Sequence, residues 1–180
     1  MAFLKSLPPN AVLLELFKAF PETSKALLAY HEILMRGPSP LTAAERELIA
    51  AFVSGLNACH YCHGVHEATA RQFGVNEATM GSLLTDVGAA PVEARLKPLL
   101  GYVRKLTLEP SRMTRDDADQ VFAAGWDDRA LHDAVSVCAL FNFMNRLVSG
   151  AGIDAGGEYF ALAAKRLHDG GYGGLAKLLG

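Results

Sequence analysis

Alanine and leucine dominate the sequence, and this balance constrains the fold more than any other feature. The 180-residue chain contains 28 Ala and 26 Leu, whereas Val, Ile and Thr together number 21. Because β-branched side chains lose rotamer freedom in a helix and Ala and Leu lose little, the balance favours helices over strands. We therefore predict an all-α fold of about seven to nine helices, forming one domain over residues 1–180.

Apolar periodicity and capping residues divide the chain into helices. Thr42 and Glu45 form a capping-box pattern, and Thr23, Asn76, Thr114 and Asp127 stand where helices need a cap. The predicted helices cover about 11–19, 23–35, 42–56, 59–73, 76–84, 92–107, 114–124, 127–149 and 155–168. Residues 1–40 supply an irregular arm and the first helices, residues 41–153 form the core, and residues 154–180 form a last helix and a loosely held, glycine-rich tail.

Charge and hydropathy exclude several classes of protein. A net charge of −2 provides no basic field for nucleic acid. No apolar run approaches the roughly 18 residues of a membrane helix, and Pro8 and Pro9 interrupt any secretory signal, so we expect a cytoplasmic protein. Three cysteines cannot form a disulfide framework. Apolar residues counted with Gly and without Tyr make up about 57% of the chain, above the typical 45–50%, which indicates a buried oligomer surface.

Two cysteines and three histidines share one short window. The segment from Cys59 to His66 reads CHYCHGVH, and Glu47 precedes it by twelve residues. If a helix begins at Cys59, Cys62 lies one turn on and His66 follows another turn later on the same face. Three chemically active side chains would then point the same way, with Glu47 arriving from the preceding helix.

A redox dithiol is the first interpretation of this window. In Cys-x-x-Cys at a helix N-terminus, the backbone N–H groups and the helix dipole stabilise a thiolate, and the second sulfur lies close enough to form a disulfide. A histidine one turn along with a carboxylate behind it can take the thiol proton and pass one to a leaving oxygen. Glu47, Cys59, Cys62 and His66 are the candidate catalytic residues.

Three other interpretations stay open on the residues alone. Cys59, Cys62 and His63 match the haem-attachment pattern C-x-x-C-H. The same cysteines with His66 could hold a metal ion with one open position, although His63 would point about 100° away from Cys62. Cys and His can also be ordinary constituents of a helical core.

The spacing Glu-x11-Cys-x-x-Cys-x-x-x-His resembles the active-site motif of the AhpD-like alkylhydroperoxidases, within the carboxymuconolactone decarboxylase superfamily. The segment ERELIAAFVSGLNACHYCHGVHEATARQFG follows that core domain, and GWDDRALHDAVSVCALFNFMNRLVSGAGI is similar to the companion segment of its peroxidase-related subgroup. Together these resemblances cover roughly residues 40 to 153. They imply a single AhpD-like helical domain that assembles as a trimer or hexamer.

The resemblance implies a thiol-dependent peroxidase without a bound cofactor. Cys62 would attack the O–O bond of a hydroperoxide and form a sulfenic acid, which Cys59 would convert to a disulfide. Glu47 and His66 would relay protons, and an external dithiol such as a lipoyl group or a thioredoxin-like protein would reduce the pair. Classical members carry a histidine directly before the second cysteine, whereas this chain has Tyr61 there and a histidine one place earlier, at His60.

Other residues receive smaller predictions. The candidate pocket residues are His60, Tyr61, His63, Asn142 and Asn145, with the two asparagines expected to face the cysteine helix. His63 is expected at the pocket rim or on the outer face. Three predictions concern residues outside the pocket: Cys138 as core, Trp126 as an anchoring plug at a helix start, and His31, His132 and His168 as surface or interface residues.

Two further functions remain alternatives to the peroxidase. A non-catalytic helical module could oxidise its dithiol, or bind a metal, to signal to a partner. A decarboxylase-like enzyme acting on a carbon acid would not need the cysteines at all.

Overall fold

Nine α-helices and no strand make up the fold in the computed structural model, which describes residues 1–179. The all-α prediction is confirmed. The helices are α1 (Leu13–Ala19), α2 (Pro21–Arg36), α3 (Ala43–Leu56), α4 (His60–Gln72), α5 (Ala78–Thr85), α6 (Leu96–Leu108), α7 (Arg115–Ala123), α8 (Asp128–Ala151) and α9 (Gly157–Ala176).

Capping residues set several helix starts as predicted. At α3 the Glu45 backbone N–H donates to Thr42 Oγ1 at 3.2 Å, and the Thr42 N–H donates to Glu45 Oε2 at 2.7 Å. At α8 the Ala130 N–H donates to Asp127 Oδ1 at 2.8 Å. These contacts satisfy N–H groups that have no partner inside the helix.

Helix α2 begins two residues earlier than predicted, and the predicted cap at Thr23 is wrong. Pro21 occupies the first turn and Phe20 is the N-cap residue. Proline is well suited to this position because its fixed φ matches the helix and its missing N–H has no partner there. Pro21 thus separates α1 from α2 without an intervening loop.

The glycine-rich tail is helical over most of its described length, in contrast to the predicted loose end. Helix α9 continues to Ala176 and bends at Gly171, where φ is 60°. The bend turns Tyr172 into the core, where 3% of its surface is exposed. The Gly173 N–H donates to Glu32 Oε2 at 2.7 Å and attaches the bend to α2. Gly180 lies outside the described residues.

Helices α3 and α8 form the centre of the fold. All seven residues from Leu48 to Ser54 of α3 are buried, and the helix packs against α4, α6 and α8. Helix α8 has the length and apolar composition of a membrane span, but half of that window is buried inside the fold, so it is a core helix. Trp126, just before α8, is buried and donates from Nε1 to the Arg95 carbonyl at 2.7 Å, which confirms its role as a plug.

Candidate active site

A tight turn between α3 and α4 places the two cysteines. Ala58 has a φ of 53°, in the left-handed region that favours glycine, and this strained residue immediately precedes Cys59. The Cys59 N–H donates to the Ser54 carbonyl at 2.9 Å. Cys59 is therefore the N-cap residue of α4 and Cys62 lies in its first turn, as the sequence predicted.

Glu47 and His66 meet in the core, as their spacing predicted. The Glu47 carboxylate is fully buried on α3, and its Oε2 lies 2.7 Å from His66 Nδ1 on α4. Because a carboxylate only accepts, Nδ1 carries the proton and Nε2 is left to take up or release one. The ring of Phe141 packs edge-on against His66 with 4.4 Å between centroids and fixes its orientation.

Two residues that the motif did not indicate complete the surroundings of Glu47. Arg36 Nη2 donates to Glu47 Oε1 at 2.6 Å, and the Tyr172 hydroxyl donates to the same oxygen at 3.2 Å. Burial raises the pKa of Glu47, but the attraction of His66 and Arg36 outweighs it, so the pKa lies below its ordinary value of 4.5. The carboxylate therefore stays charged and can support an imidazolium.

The two thiols differ in how readily they ionise. Both cysteines are free and buried, with 5% of Cys59 and 3% of Cys62 exposed. The Cys62 thiol lowers the pKa of Cys59 to about 6 against the opposing effect of burial, assisted by Ser149 and Asn145. The neighbouring Cys59, together with burial, raises the pKa of Cys62 well above its ordinary value. Of the two thiols, Cys59 is therefore the one that ionises more readily.

The two sulfurs line different cavities. Cys62 and His66 line a narrow apolar cavity of about 60 Å³ between α1, α2, α4, α8 and α9, which we call the inner cavity. Such a volume exceeds the roughly 10–15 Å³ that one water molecule requires. Cys59 instead lines a surface pocket of about 290 Å³, bordered by Met1, Phe3 and Asp154, which we call the outer pocket. The two cysteines are therefore reached from different directions.

An amide network links α8 to the cysteine turn. Asn57 Nδ2 donates to Asn145 Oδ1 at 2.9 Å and to Asn142 Oδ1 at 3.1 Å. Asn145 Nδ2 in turn donates to Ser54 Oγ at 2.9 Å, and Asn145 lowers the pKa of both thiols of the pair. Asn145 faces the cysteines, as predicted, whereas Asn142 reaches only Asn57, just before the cysteine helix. The prediction that the two asparagines help to line the pocket is wrong for the inner cavity, which neither of them borders.

The residues next to the two cysteines lie on different sides of α4. Tyr61 borders the inner cavity, and its hydroxyl donates to Tyr159 at 2.9 Å. His60 does not reach that cavity: it lies on the outer pocket 3.0 Å from Asp154, with 68% of its side chain exposed. His63 turns away from both cysteines and binds the Ala51 carbonyl at 3.0 Å, so it belongs to the outer face.

The surface assignment of His31 is wrong. Only 3% of His31 is exposed, and the residue lines the inner cavity. It shares the buried face of α2 with Leu28 and Leu34, three residues away on either side, and that spacing was the available sequence signal. His132 and His168 are exposed, as predicted.

Cys138 is a core residue, as predicted. Its sulfur lies 3.3 Å from Thr107 Oγ1, and burial raises its thiol pKa. Within residues 1–179, no cluster of three or more His, Cys, Asp or Glu side chains has the arrangement of a metal site. Cys59, Cys62 and His66, the candidate metal ligands, are not arranged as such a cluster.

Comparison with known proteins gives the family and the fold. The family model for the carboxymuconolactone decarboxylase family matches residues 21–96. An uncharacterised peroxidase-related protein from Silicibacter sp. TM1040 is 30% identical, with a TM-score of 0.76 over 82% of this chain and 78% of that one. An AhpD-core, peroxidase-related protein from Ralstonia eutropha JMP134 shares the fold at 24% identity, with a TM-score of 0.75 over 83% of this chain and 79% of that one.

A third structure shows the same fold at lower identity. It is a protein of unknown function from Agrobacterium tumefaciens, described as a possible antioxidant defence protein AhpD; it is 22% identical, with a TM-score of 0.67 over 81% of this chain and 99% of that one. No curated protein matches the chain. The chain has the fold of the AhpD-core protein and belongs to the carboxymuconolactone decarboxylase family, together with the peroxidase-related protein from Silicibacter.

Proposed function

We propose that the protein is a thiol-dependent peroxidase that reduces hydroperoxides through Cys62 and Cys59. One observation carries the proposal: Cys62 lines an apolar cavity together with His66, whose ring is held by a buried carboxylate at 2.7 Å. Reduction of an organic hydroperoxide requires a thiol as the nucleophile, a group that protonates the leaving oxygen, and an apolar cavity that binds the organic part.

The first step forms a sulfenic acid on Cys62. The step requires a pair that holds one proton between its sulfurs and a His66 that carries a proton on Nε2, while Nδ1 donates to the Glu47 carboxylate. Transfer of the shared proton to Cys59 leaves a Cys62 thiolate, which attacks the terminal oxygen of the hydroperoxide. The S–O bond forms as the O–O bond breaks, and His66 protonates the departing alkoxide to an alcohol.

The second step forms the disulfide. The Cys59 sulfur attacks the sulfur of the sulfenic acid, and the Cys59 proton travels through His66 to the departing hydroxide, which leaves as water. The dithiol has then lost two electrons and two protons, and the hydroperoxide has become an alcohol and water. Two cysteines one helical turn apart are close enough for this bond.

An external dithiol restores the pair through the outer pocket. Cys59 borders that pocket, whereas Cys62 faces the inner cavity, so the reductant is expected to attack the Cys59 sulfur. A lipoyl group or a thioredoxin-like protein supplies two thiols, and it leaves as a disulfide when both cysteines are reduced. We propose a cytoplasmic location, where such thiols are kept reduced.

Coupled turnover tests the proposal. Purified protein is given cumene hydroperoxide and dihydrolipoamide, and consumption of the dithiol is followed for wild type, Cys62→Ser and the control Cys138→Ser. We expect turnover by wild type and the control but none by Cys62→Ser. In parallel, one equivalent of hydroperoxide should remove two of the three free thiols. Retention of all three thiols would contradict the proposal, and oxidation without turnover would favour a redox sensor.

A further inference from the structure

The inner cavity contains a second histidine that the proposed reaction does not use. His31, on α2, is almost fully buried and lines the cavity together with Cys62 and His66. Its Nδ1 lies 2.8 Å from the carbonyl oxygen of Leu27, one turn earlier in the same helix. This histidine is therefore built into the cavity wall and does not lie at the protein surface.

The hydrogen bond to Leu27 fixes which protons His31 can offer. A carbonyl only accepts, so Nδ1 must carry the ring proton and Nε2 must be the acceptor in the neutral ring. Burial lowers the pKa of His31 to about 4, against the raising effect of the Leu27 carbonyl, so the ring is neutral at pH 7. Within residues 1–179, His31 bonds to Leu27 through Nδ1, and Nε2 is not among the fully buried side-chain atoms that lack a partner, so Nε2 is accessible from the cavity.

One aromatic ring contacts both His31 and His66. The centroid of Phe141 lies 6.0 Å from that of the His31 ring and 4.4 Å from that of the His66 ring, in an edge-on arrangement with both. His31 also packs against Tyr172 at 5.0 Å, and Tyr172 is bound to Glu47. These contacts fix the position of His31 Nε2 relative to His66 and Glu47.

We propose that His31 is a substrate-binding residue: its Nε2 accepts a hydrogen bond from the terminal O–H of an organic hydroperoxide with a compact apolar body. This proposal rests on the proposed function and adds the substrate class and its orientation. An acceptor nitrogen in the wall of an apolar cavity is stabilised by a ligand that donates to it, and an O–H is the only strong donor of an alkyl hydroperoxide.

The walls of the inner cavity favour an alkyl or aryl group over a second polar group. Its apolar lining includes Leu28, Val65, Phe141 and Met144, and a cavity of about 60 Å³ suits a compact substituent. Burial of such a group against these walls removes apolar surface from water and so favours binding. Hydrogen peroxide has no apolar group and gains no such binding free energy.

The hydrogen bond to His31 would persist through the reaction. Cys62 attacks the oxygen that carries the hydrogen, and that oxygen keeps its hydrogen when it becomes the sulfenic acid. The O–H therefore donates to His31 both before and after the O–O bond breaks. The departing alkoxide, on the far side of the broken bond, takes its proton from His66.

Binding of an inert alcohol tests the proposal without turnover. The probes are tert-butanol, which has a compact apolar body and the O–H, and acetone, which is of similar size but has no O–H. Ligand-observed NMR would give their affinities for reduced wild type, His31→Phe and His31→Gln. We expect wild type to prefer the alcohol by about tenfold, His31→Phe to lose that preference, and His31→Gln to keep part of it through its side-chain oxygen.

Kinetics separate a failure of this proposal from a failure of the proposed function. For tert-butyl hydroperoxide, His31→Phe should raise KM about tenfold, while the rate of alkylation of the dithiol by iodoacetamide stays at the wild-type value. Absence of turnover in wild type would contradict the peroxidase function, whereas the alcohol preference would still report on His31. An alcohol preference that is absent in wild type, or that survives in His31→Phe, would overturn the role of His31.

Discussion

Arg36 places Nη2 2.6 Å from Oε1 of Glu47, the carboxylate whose other oxygen holds His66. The guanidinium lies between the rings of Phe73 and Tyr172, 5.1 Å from each centroid. Only 13% of the Arg36 side chain and none of Glu47 is exposed, so the pair is buried. Helices α2, α3, α4 and α9 thus converge on one charged network beneath the cysteines.

Removal of Arg36 should destabilise the protein strongly. In Arg36→Met, Glu47 loses a cationic partner but stays buried, and breaking such a pair costs about 3–5 kcal/mol of unfolding free energy. Urea denaturation would measure the loss. Arg115→Met, which removes an exposed ion pair with Asp119, is the matched control and should change stability little. Equal stability of Arg36→Met and wild type would show that Glu47 does not depend on Arg36.

Glu47 should make the stability of the protein sensitive to acid. Its pKa is lower in the folded protein than its ordinary value of 4.5, because His66 and Arg36 outweigh its burial. The unfolded chain therefore binds the proton first, and the contribution of Glu47 is present above about pH 4.5 and lost as the pH falls further. Urea denaturation from pH 6 to pH 3 should show wild type more stable than Glu47→Gln at pH 6, with the difference shrinking in acid. A difference that does not change with pH would argue against this linkage.

Local patterns were sufficient to predict much of this architecture. The starts of α3 and α8 follow from Thr42 and Asp127, because a cap acts within four residues of its own position. Glu47, Cys62 and His66 were also predictable, since their spacing places them on the facing sides of two consecutive helices.

The rest of the site depends on contacts between distant segments. Arg36 and Tyr172 reach Glu47 only because α2 and the bend in α9 pack against α3, and no short-range pattern specifies that packing. Gly171 produces the bend, but a glycine-rich segment resembles a flexible tail when only its composition is considered. His31 was missed because histidine is common at surfaces, although its register with Leu28 and Leu34 indicated a buried position.

The low pKa of Cys59 should depend on Cys62. In a Cys138→Ala background, thiolate absorbance at 240 nm should titrate with a midpoint of about 6, which corresponds to roughly 90% thiolate at pH 7. Cys62→Ala removes the main hydrogen-bond donor and should move the midpoint toward the ordinary value of 9.0. Cys62→Ser keeps a hydroxyl donor and should retain a low midpoint. An unchanged midpoint in Cys62→Ala would assign the effect to Ser149, Asn145 or the helix N-terminus.

Self-association should cover part of the exposed apolar surface. Leu4, Phe20 and Phe143 border one surface groove, and they are 37%, 45% and 53% exposed. Large exposed apolar patches mark interfaces in soluble proteins. Light scattering after gel filtration should therefore give a trimer or hexamer, and Phe143→Glu should dissociate it. A monomeric mass for wild type at micromolar concentration would refute this prediction.

The contact between α4 and α9 should not tolerate a side chain at Gly64. A Cβ at this position would overlap the ring of Phe160, so α9 would have to move away from the helix that carries the cysteines. Gly64→Ala should therefore lower the unfolding free energy by about 1–3 kcal/mol, which is the usual effect of overpacking. It should also reduce peroxide turnover, because α4 carries the cysteines. Gly101→Ala is the matched control. A Cβ added at Gly101, within α6, would have no atom of another part of the chain within 4 Å. Alanine should therefore raise the unfolding free energy by about 0.5–1 kcal/mol through its higher helix propensity. If both variants gained stability alike, the close approach of α4 and α9 at Gly64 would be disproved, because helix propensity alone would then account for both results.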